Sequence, residues 1–472
     1  MIIRKKRISR KLGCRSKSSK RQRQEAARGR KFLFMKGDSL NKSRRNFCKI
    51  VFVSVFIIAA ISAAMAQDKQ NKPDKQDKAN LKIALSRSSV ISMITVYPGN
   101  KIYSLFGHSA FRIVDSENGI DRMYNYGTFD FSDEFFVLKF IEGKLDYYLD
   151  IDSFQRALRF YSNIEHRKVY EQILDFDLEQ RQTLFDFLEK NGEPENRVYR
   201  YDFIWDNCST RIANAIDKTF PNLVDYSAYK GSGKSFRKMI MDYLGEHPFT
   251  NFGIQLVFGK VTDRAPRGSE IFFLPIYMKQ GFSAAVMKNK ENKTVPLVLK
   301  ESMIASPENF FHKKPDYPLF IFLGVLILYL VSLVLKYGKT VFRGKGFLPQ
   351  KNSVLLKLSG IVAALCESFI FLFAGIIGIL ITYLWFFSAH TVVVFNFNYL
   401  WCTPLSLILF AGIFSKKKSS KKQLFFNGLS LVMCLAYVVC IAAGLQYALP
   451  AFFPIVIFLI IAGAKNILTG RI

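Results

Sequence analysis

The chain has 472 residues, half of them hydrophobic, and a formal net charge of +30. Long apolar runs crowd its last third, which excludes a single soluble core and predicts a membrane protein carrying one soluble domain. Nineteen of the Lys and Arg residues precede residue 50 and lead straight into an apolar run, so the excess charge marks a targeting flank rather than a nucleic-acid-binding surface.

Residues 1–66 read as a basic n-region and a secretory signal: IVFVSVFIIAAISAAMA ends in the small residues Ala64-Met65-Ala66, with a cut expected before Gln67. Met35 would start a signal of ordinary length, and no cysteine follows the run, so the signal is not that of a lipoprotein. Residues 67–80, QDKQNKPDKQDKAN, have the composition of a disordered linker. A soluble domain of mixed helix and strand is expected over 81–316, and a membrane domain over 317–472. Five spans are expected there, at about 318–335, 358–385, 399–415, 423–447 and 450–467. The loops KYGKTVFRGKGFLPQKNSVLLK and SKKKSSKK are basic, whereas SAHTVVVFNFN and the turn near Pro450 have no Lys or Arg. The positive-inside rule then puts residues 67–317 on the outer, periplasmic side of the inner membrane, together with the loop that holds His390, Asn396 and Asn398.

Within the soluble domain, HSAFRIV alternates as a half-buried strand, and DSENGID turns it back into RMYNYGTFDF. KFIEGKLDYYLDI and LEQRQTLFDFLEKNGEPENR read as helices packed on the sheet. In YDFIWDNCSTRIANAID, Asp206 and Asn207 are good helix caps, and Ile212, Ala213 and Ile216 follow at helical spacing.

Cys208 thereby falls at a helix start. Of seven cysteines, Cys14 and Cys48 precede the signal cut, and Cys366, Cys402, Cys434 and Cys440 lie in or at the ends of spans, so Cys208 is alone in its domain. An unpaired cysteine in an exported domain is either a buried structural thiol or a reactive one. Helix-start amides and the dipole favour the thiolate. Of His108, His166, His247 and His312, His108 is the favoured base, because a rigid strand facing a capped cysteine is the Cys-His arrangement of thiol acyl-transfer enzymes. Asn125 or Tyr126 on the adjoining strand would orient the imidazole, and parity alone does not choose. One cysteine with scattered histidines does not supply the ligands of a zinc site, so no metal is expected. In the membrane part, Glu367 inside GIVAALCESFIFLFAGIIGIL is a buried carboxyl with a functional reading.

FGHSAFRI, YNYGTFDF, KFIEGKLDYYL, ENRVYRYDFIWDNCSTRI and LWFFSAHTVVVFNFNYLWCTPLSL resemble, in this order, the Bacteroidota lipoprotein N-acyltransferase family called Lnb. The resemblance implies an α+β, circularly permuted papain-like (NlpC/P60-like) periplasmic domain followed by an all-α membrane domain of about five transmembrane helices. It implies that a fatty-acyl chain moves from a membrane phospholipid, through a cysteine thioester, to the N-terminal amine of a diacylglyceryl-cysteine lipoprotein, with no cofactor. Carried over by position, Cys208 is the nucleophile, His108 the base, and Asn125 and Tyr126 match the family's Asn-Tyr-Gly stretch. Asn207 and Arg211, which flank the nucleophile, are expected substrate-binding residues, as are His390, Asn396 and Asn398 of the outer loop, with Glu367, singled out by its depth in a span, as a further one. Where the family is expected to have Thr-Asp-His, this chain has Ser388-Ala389-His390. The alternatives are a membrane-anchored cysteine peptidase or amidase acting on cell-wall peptides, which gives five spans no role, and a non-catalytic factor with a structural thiol.

Overall fold

The structure is a computed structural model, and it describes residues 83–130, 132, 135–306, 313–341, 354–414 and 421–469. The expected signal and linker, His312 and most of both basic loops lie outside the described residues.

Seven strands form one antiparallel sheet: β1 (Val90–Val96), β2 (His108–Asp115), β3 (Ile120–Phe129), β4 (Asp146–Ser153), β5 (Val169–Leu174), β6 (Val198–Arg200) and β10 (Val298–Ala305). Their order across the sheet is β10-β5-β1-β2-β3-β4-β6, and β7 (Val224–Asp225), β8 (Val286–Lys288) and β9 (Thr294–Pro296) make a small second sheet. The expected hairpin is present, with Phe111 opposite Tyr124 and Asp115 opposite Ile120.

Period-two alternation sends side chains to both faces of the sheet, and both are covered. Phe111, Ile113 and Tyr124 meet α3 (Leu178–Gly192) through Leu184, Phe185 and Leu188, and α4 (Cys208–Thr219) through Ile212 and Ile216. Fully burying each isoleucine contributes about 1.5–3 kcal/mol. On the opposite face Ala110 and Met123 meet Phe154 and Ala157 of α2 (Phe154–Arg159). LEQRQTLFDFLEKNG is helical as expected, capped by a reciprocal Asp177–Gln180 box. KFIEGKLDYYLDI is not. Its start ends the short helix α1 (Phe136–Ile141), Gly143 turns the chain at φ +64°, and the rest enters β4, where Tyr147 and Leu149 bury at period two. The charges that suggest a solvated helix face, Lys144, Asp146 and Asp150, fall at the positions that flank buried Leu145, Tyr147 and Leu149.

Four helices among the described residues are long and apolar enough to cross a membrane: α8 (Tyr317–Val341), α9 (Val354–Phe387), α11 (Lys421–Ala442) and α12 (Phe452–Thr469). The span expected at 399–415 is not a continuous helix. A 3-10 turn at Phe397–Leu400 leads through non-helical backbone to α10 (Ser406–Ile413), whose eight residues reach about 12 Å against a core of about 30 Å. The stretch still runs alongside α9: a Cβ on Gly378 would collide with Thr403 and Pro404, and one on Gly375 would lie 2.6 Å from Leu407 Cδ2. Irregular backbone at this depth is tolerated where protein covers it, and Trp401, Cys402 and Thr403 are all buried.

The two halves are fastened directly together. Helices α5 (Phe236–Met241) and α6 (Pro248–Val257) join them, and Phe252 and Leu256 of α6 pack within the core of the membrane helices. Fully buried Arg237 pairs with Asp263 at 2.7 Å and donates to the carbonyls of Phe258 and Gly259. Gly259 in turn donates to Val392 O at 2.8 Å, in the loop after α9. That loop therefore lies on the side of the soluble domain, as charge bias in the loops predicts.

Candidate active site

Asn207 stops the preceding chain and starts α4. Its backbone is extended (φ −121°, ψ −176°), and its Oδ1 accepts from the N–H groups of Ser209 (2.9 Å) and Thr210 (3.0 Å). Its Nδ2 donates to Phe203 O and Phe273 O, so every polar valence of this buried side chain is spent on holding the helix start. The second of those carbonyls belongs to TDRAPRGSEIFFLP, a segment with no chemistry legible in its sequence. Cys208 is the first helical residue, half-buried and free, and the cap leaves its own amide unused.

The Cys208 thiol lies 4.0 Å from the Ser209 hydroxyl, and the His108 imidazole and the backbone N–H of Ser109 are close enough to act on its ionisation. Burial pushes the thiol up, but the charge and hydrogen bond of His108, with the Ser109 amide and the Ser209 hydroxyl, outweigh it and hold the thiol below its ordinary value. Ser109 Oγ and Ser209 Oγ lie 3.1 Å apart and tie the strand to the helix one residue beyond the pair.

His108 Nε2 lies 3.1 Å from Asn125 Oδ1. The hairpin register explains why Asn125 and not Tyr126 faces the ring. With Phe111 opposite Tyr124, one further pair sets Ala110 against Asn125, and His108 lies two residues on, on the same face. Tyr126 points into the core, where its hydroxyl donates to Asn191 Oδ1 at 3.3 Å.

A glycine and two tyrosines border Cys208. Gly127, at φ +95°, follows Asn125 at an irregularity in the β3–β4 ladder, and a Cβ there would stand 3.6 Å from Cys208 Cβ and 3.9 Å from Tyr199 Oη. The Tyr199 hydroxyl is buried and has no hydrogen-bond partner among the described residues. Burial and the neighbouring Cys208 push it well above the usual phenol range, so it stays protonated and remains a donor. Arg211, one turn along α4 from Cys208, lies 3.6 Å from the Tyr199 ring and makes a two-pronged pair with Asp206 at 2.6 and 2.7 Å. Tyr199, Ser109 and Gly127 did not stand out in the sequence. Tyr199 lies in a three-residue strand with no periodicity, and a glycine after Asn-Tyr is a weak signal by itself.

The remaining expected residues are not at the thiol. Glu367 lies about 30 Å along α9 from Phe387. It accepts from the Tyr329 hydroxyl at 2.6 Å and is paired with Lys465 of α12, a satisfied ion pair between helices. Asn396 donates to Leu256 O, and Asn398 donates to Gln255 O and Leu256 O, so both cap the last carbonyls of α6. Asn398 Oδ1 also receives the Trp401 indole and the Tyr437 hydroxyl. His390 Nε2 lies 3.0 Å from Phe140 O, against the soluble domain. His166 is exposed in a left-handed turn (φ +51°), and His247 is the N-cap residue of α6.

The family model of the Lnb N-terminal periplasmic domain matches residues 75–232, and that of the Lnb transmembrane domain matches residues 358–471. The chain belongs to the Lnb family. Together the two matches cover more than half of it, in the order expected of an Lnb protein. It is accordingly a multi-pass membrane protein with a periplasmic domain, in an enzyme family whose general activity is lipoprotein N-acylation and whose substrate is a lipoprotein. His108, Asn125, Tyr199 and Cys208 all fall inside the Lnb periplasmic match, while the joint helices α5 and α6 fall outside both. Searches of curated proteins and of solved structures found no match.

Proposed function

We propose that this Lnb protein transfers a fatty-acyl chain from a phospholipid of the inner membrane to the N-terminal amine of a diacylglyceryl-cysteine lipoprotein, through a thioester on Cys208. The observation that carries the reading is a helix-capped thiol whose ionisation is favoured by His108, with the His108 Nε2 held by Asn125, in a domain fastened to the outer ends of membrane-spanning helices. A histidine on an early strand and a cysteine at a later helix start, packed on an antiparallel sheet, support a permuted papain-like fold for the periplasmic domain over 81–316, with the membrane domain from 317.

In the first half-reaction the thiolate attacks the ester carbonyl carbon of the phospholipid. The C–O bond to glycerol breaks, and the departing alkoxide takes the proton that His108 holds, leaving a lysophospholipid. In the second, the lipoprotein amine attacks the thioester, its proton passes to His108, and the C–S bond breaks to give the amide and the starting thiolate–imidazolium pair. Asn125 Oδ1 accepts from the His108 Nε2–H, which leaves Nδ1 as the nitrogen available for proton exchange. The oxyanion of both tetrahedral intermediates needs donors. The unused Cys208 amide is one, and the unpartnered Tyr199 hydroxyl is the second.

Arg211 holds the Tyr199 ring from behind through its pair with Asp206. Asn396, Asn398 and His390 act at the joint, keeping the thiol in a fixed relation to the bilayer. A soluble peptide substrate would have no need of that joint, so the geometry favours a lipid substrate over the peptidase alternative. The test is transfer of labelled acyl chain from phospholipid to a synthetic diacylated lipopeptide by detergent-purified protein. Wild-type protein should form the triacylated product and Cys208→Ser protein of equal thermal stability should form none. Equal product from both would overturn the reading.

A further inference from the structure

Helix α1 has no buried residue, and Val137, Leu138 and Phe140 are 52%, 45% and 51% exposed. An apolar cluster of this kind on a water-facing surface is a liability unless something covers it. What covers it follows from where α1 is fastened. Ala389 N donates to Glu142 O at 2.7 Å, Ser388 Oγ donates to Ile141 O at 3.2 Å, and the Tyr383 hydroxyl bonds the Glu142 carboxylate. These partners belong to the last turns of the spanning helix α9 and the residues just beyond it, where Phe386 and Phe387 are 75% and 56% exposed. The apolar surface of α1 is thus continuous with the lipid-facing outer end of a membrane span.

Inward from α1 runs a line of rings. Phe136 stacks on Phe129 (5.6 Å between centroids), Phe129 meets Tyr147 (5.1 Å), and Tyr147 stacks on Tyr201 (4.3 Å). Tyr201 borders Gly127, the residue against Cys208. We propose that α1 is seated in the outer leaflet, with phospholipid acyl chains against Val137, Leu138 and Phe140, and that the ring line guides the ester carbonyl to Cys208. The guiding role rests on the acyl-transfer reading, whereas the seating of α1 does not. Short amphipathic segments bind at this depth through buried apolar area.

The seating is tested on the full-length protein in nanodiscs that contain phosphatidylethanolamine with a diazirine on its acyl chain. After irradiation, lipid adducts are expected on the peptide carrying residues 136–141 as well as on α8 and α11. Adducts on those spans and none on the 136–141 peptide would overturn the seating. The guiding role is tested with Leu138→Ser/Phe140→Ser: acylation of Cys208 from bilayer phospholipid should fall about tenfold or more, while alkylation of Cys208 by iodoacetamide is unchanged. Unchanged acylation in this variant would overturn the guiding role. Failure of the acyl-transfer reading looks different: the wild-type protein would form no acyl-cysteine while still crosslinking through α1.

Discussion

His108 Nε2 stands 3.1 Å from Asn125 Oδ1, an amide oxygen that accepts the Nε2–H and so holds the ring orientation. In the proposed mechanism Asn125 acts through the histidine, as a positioning residue. Asn125→Ala is expected to slow acylation of Cys208 about tenfold or more. A merely structural role would leave the pH profile of thiol alkylation in place, whereas loss of orientation should move that profile upward, towards that of His108→Ala.

The thiol is held below its ordinary value because His108, the Ser109 amide and the Ser209 hydroxyl together outweigh the opposing effect of burial. With His108→Ala the burial effect remains and its largest opponent is gone, so the midpoint must move up in pH and the thiolate fraction at neutral pH must fall. Iodoacetamide alkylation of Cys208 against pH, read by peptide mass spectrometry, checks the sign. A midpoint that does not rise in His108→Ala would contradict the coupling.

Tyr199→Phe removes a hydroxyl that has no partner to lose. Stability should therefore hold or rise, while acyl transfer slows about a hundredfold, the scale of one oxyanion donor. Alkylation of the ground-state thiolate, which develops no oxyanion, should be unchanged. A Tyr199→Phe protein with full transfer activity would remove Tyr199 from the mechanism.

Glu367 and Lys465 form an ion pair inside the helix bundle. Lys465→Met leaves a buried carboxylate without its partner and should cost about 3–5 kcal/mol, whereas Glu367→Leu/Lys465→Met should recover most of that. Thermal unfolding in detergent measures both. The folded fraction of each variant should transfer acyl chains at the wild-type rate, and loss of activity in a fully folded double variant would return Glu367 to the mechanism.

What was legible in the sequence was local. The start of α4 depends on Asn207 and the amides of the next residues, so the capping pattern alone places Cys208 at a helix start. The His108 hairpin was equally local, and spans of continuous helix announce themselves by composition. What was hidden depended on partners far along the chain. Choosing Asn125 over Tyr126 requires the strand register. β4 reads as a helix in sequence because its interleaved charges mask the alternation of Tyr147 and Leu149. Glu367 looked functional because Lys465 is 98 residues away. The outer-loop residues Asn396 and Asn398 read as substrate contacts because the carbonyls they satisfy belong to a helix about 140 residues earlier. The break before α10 was invisible because its apolar composition suits a helix, while the backbone there is set by Gly375 and Gly378 of α9.

The most direct test of the mechanism is mass spectrometry of the Cys208 peptide from detergent-purified wild-type protein, incubated with phospholipid and then with a diacylated lipopeptide. The account predicts a hydroxylamine-sensitive acyl adduct on Cys208 that forms with phospholipid alone and discharges onto the lipopeptide amine. Folded protein with a free thiol that never carries the adduct, while triacylated lipopeptide still accumulates, would contradict it.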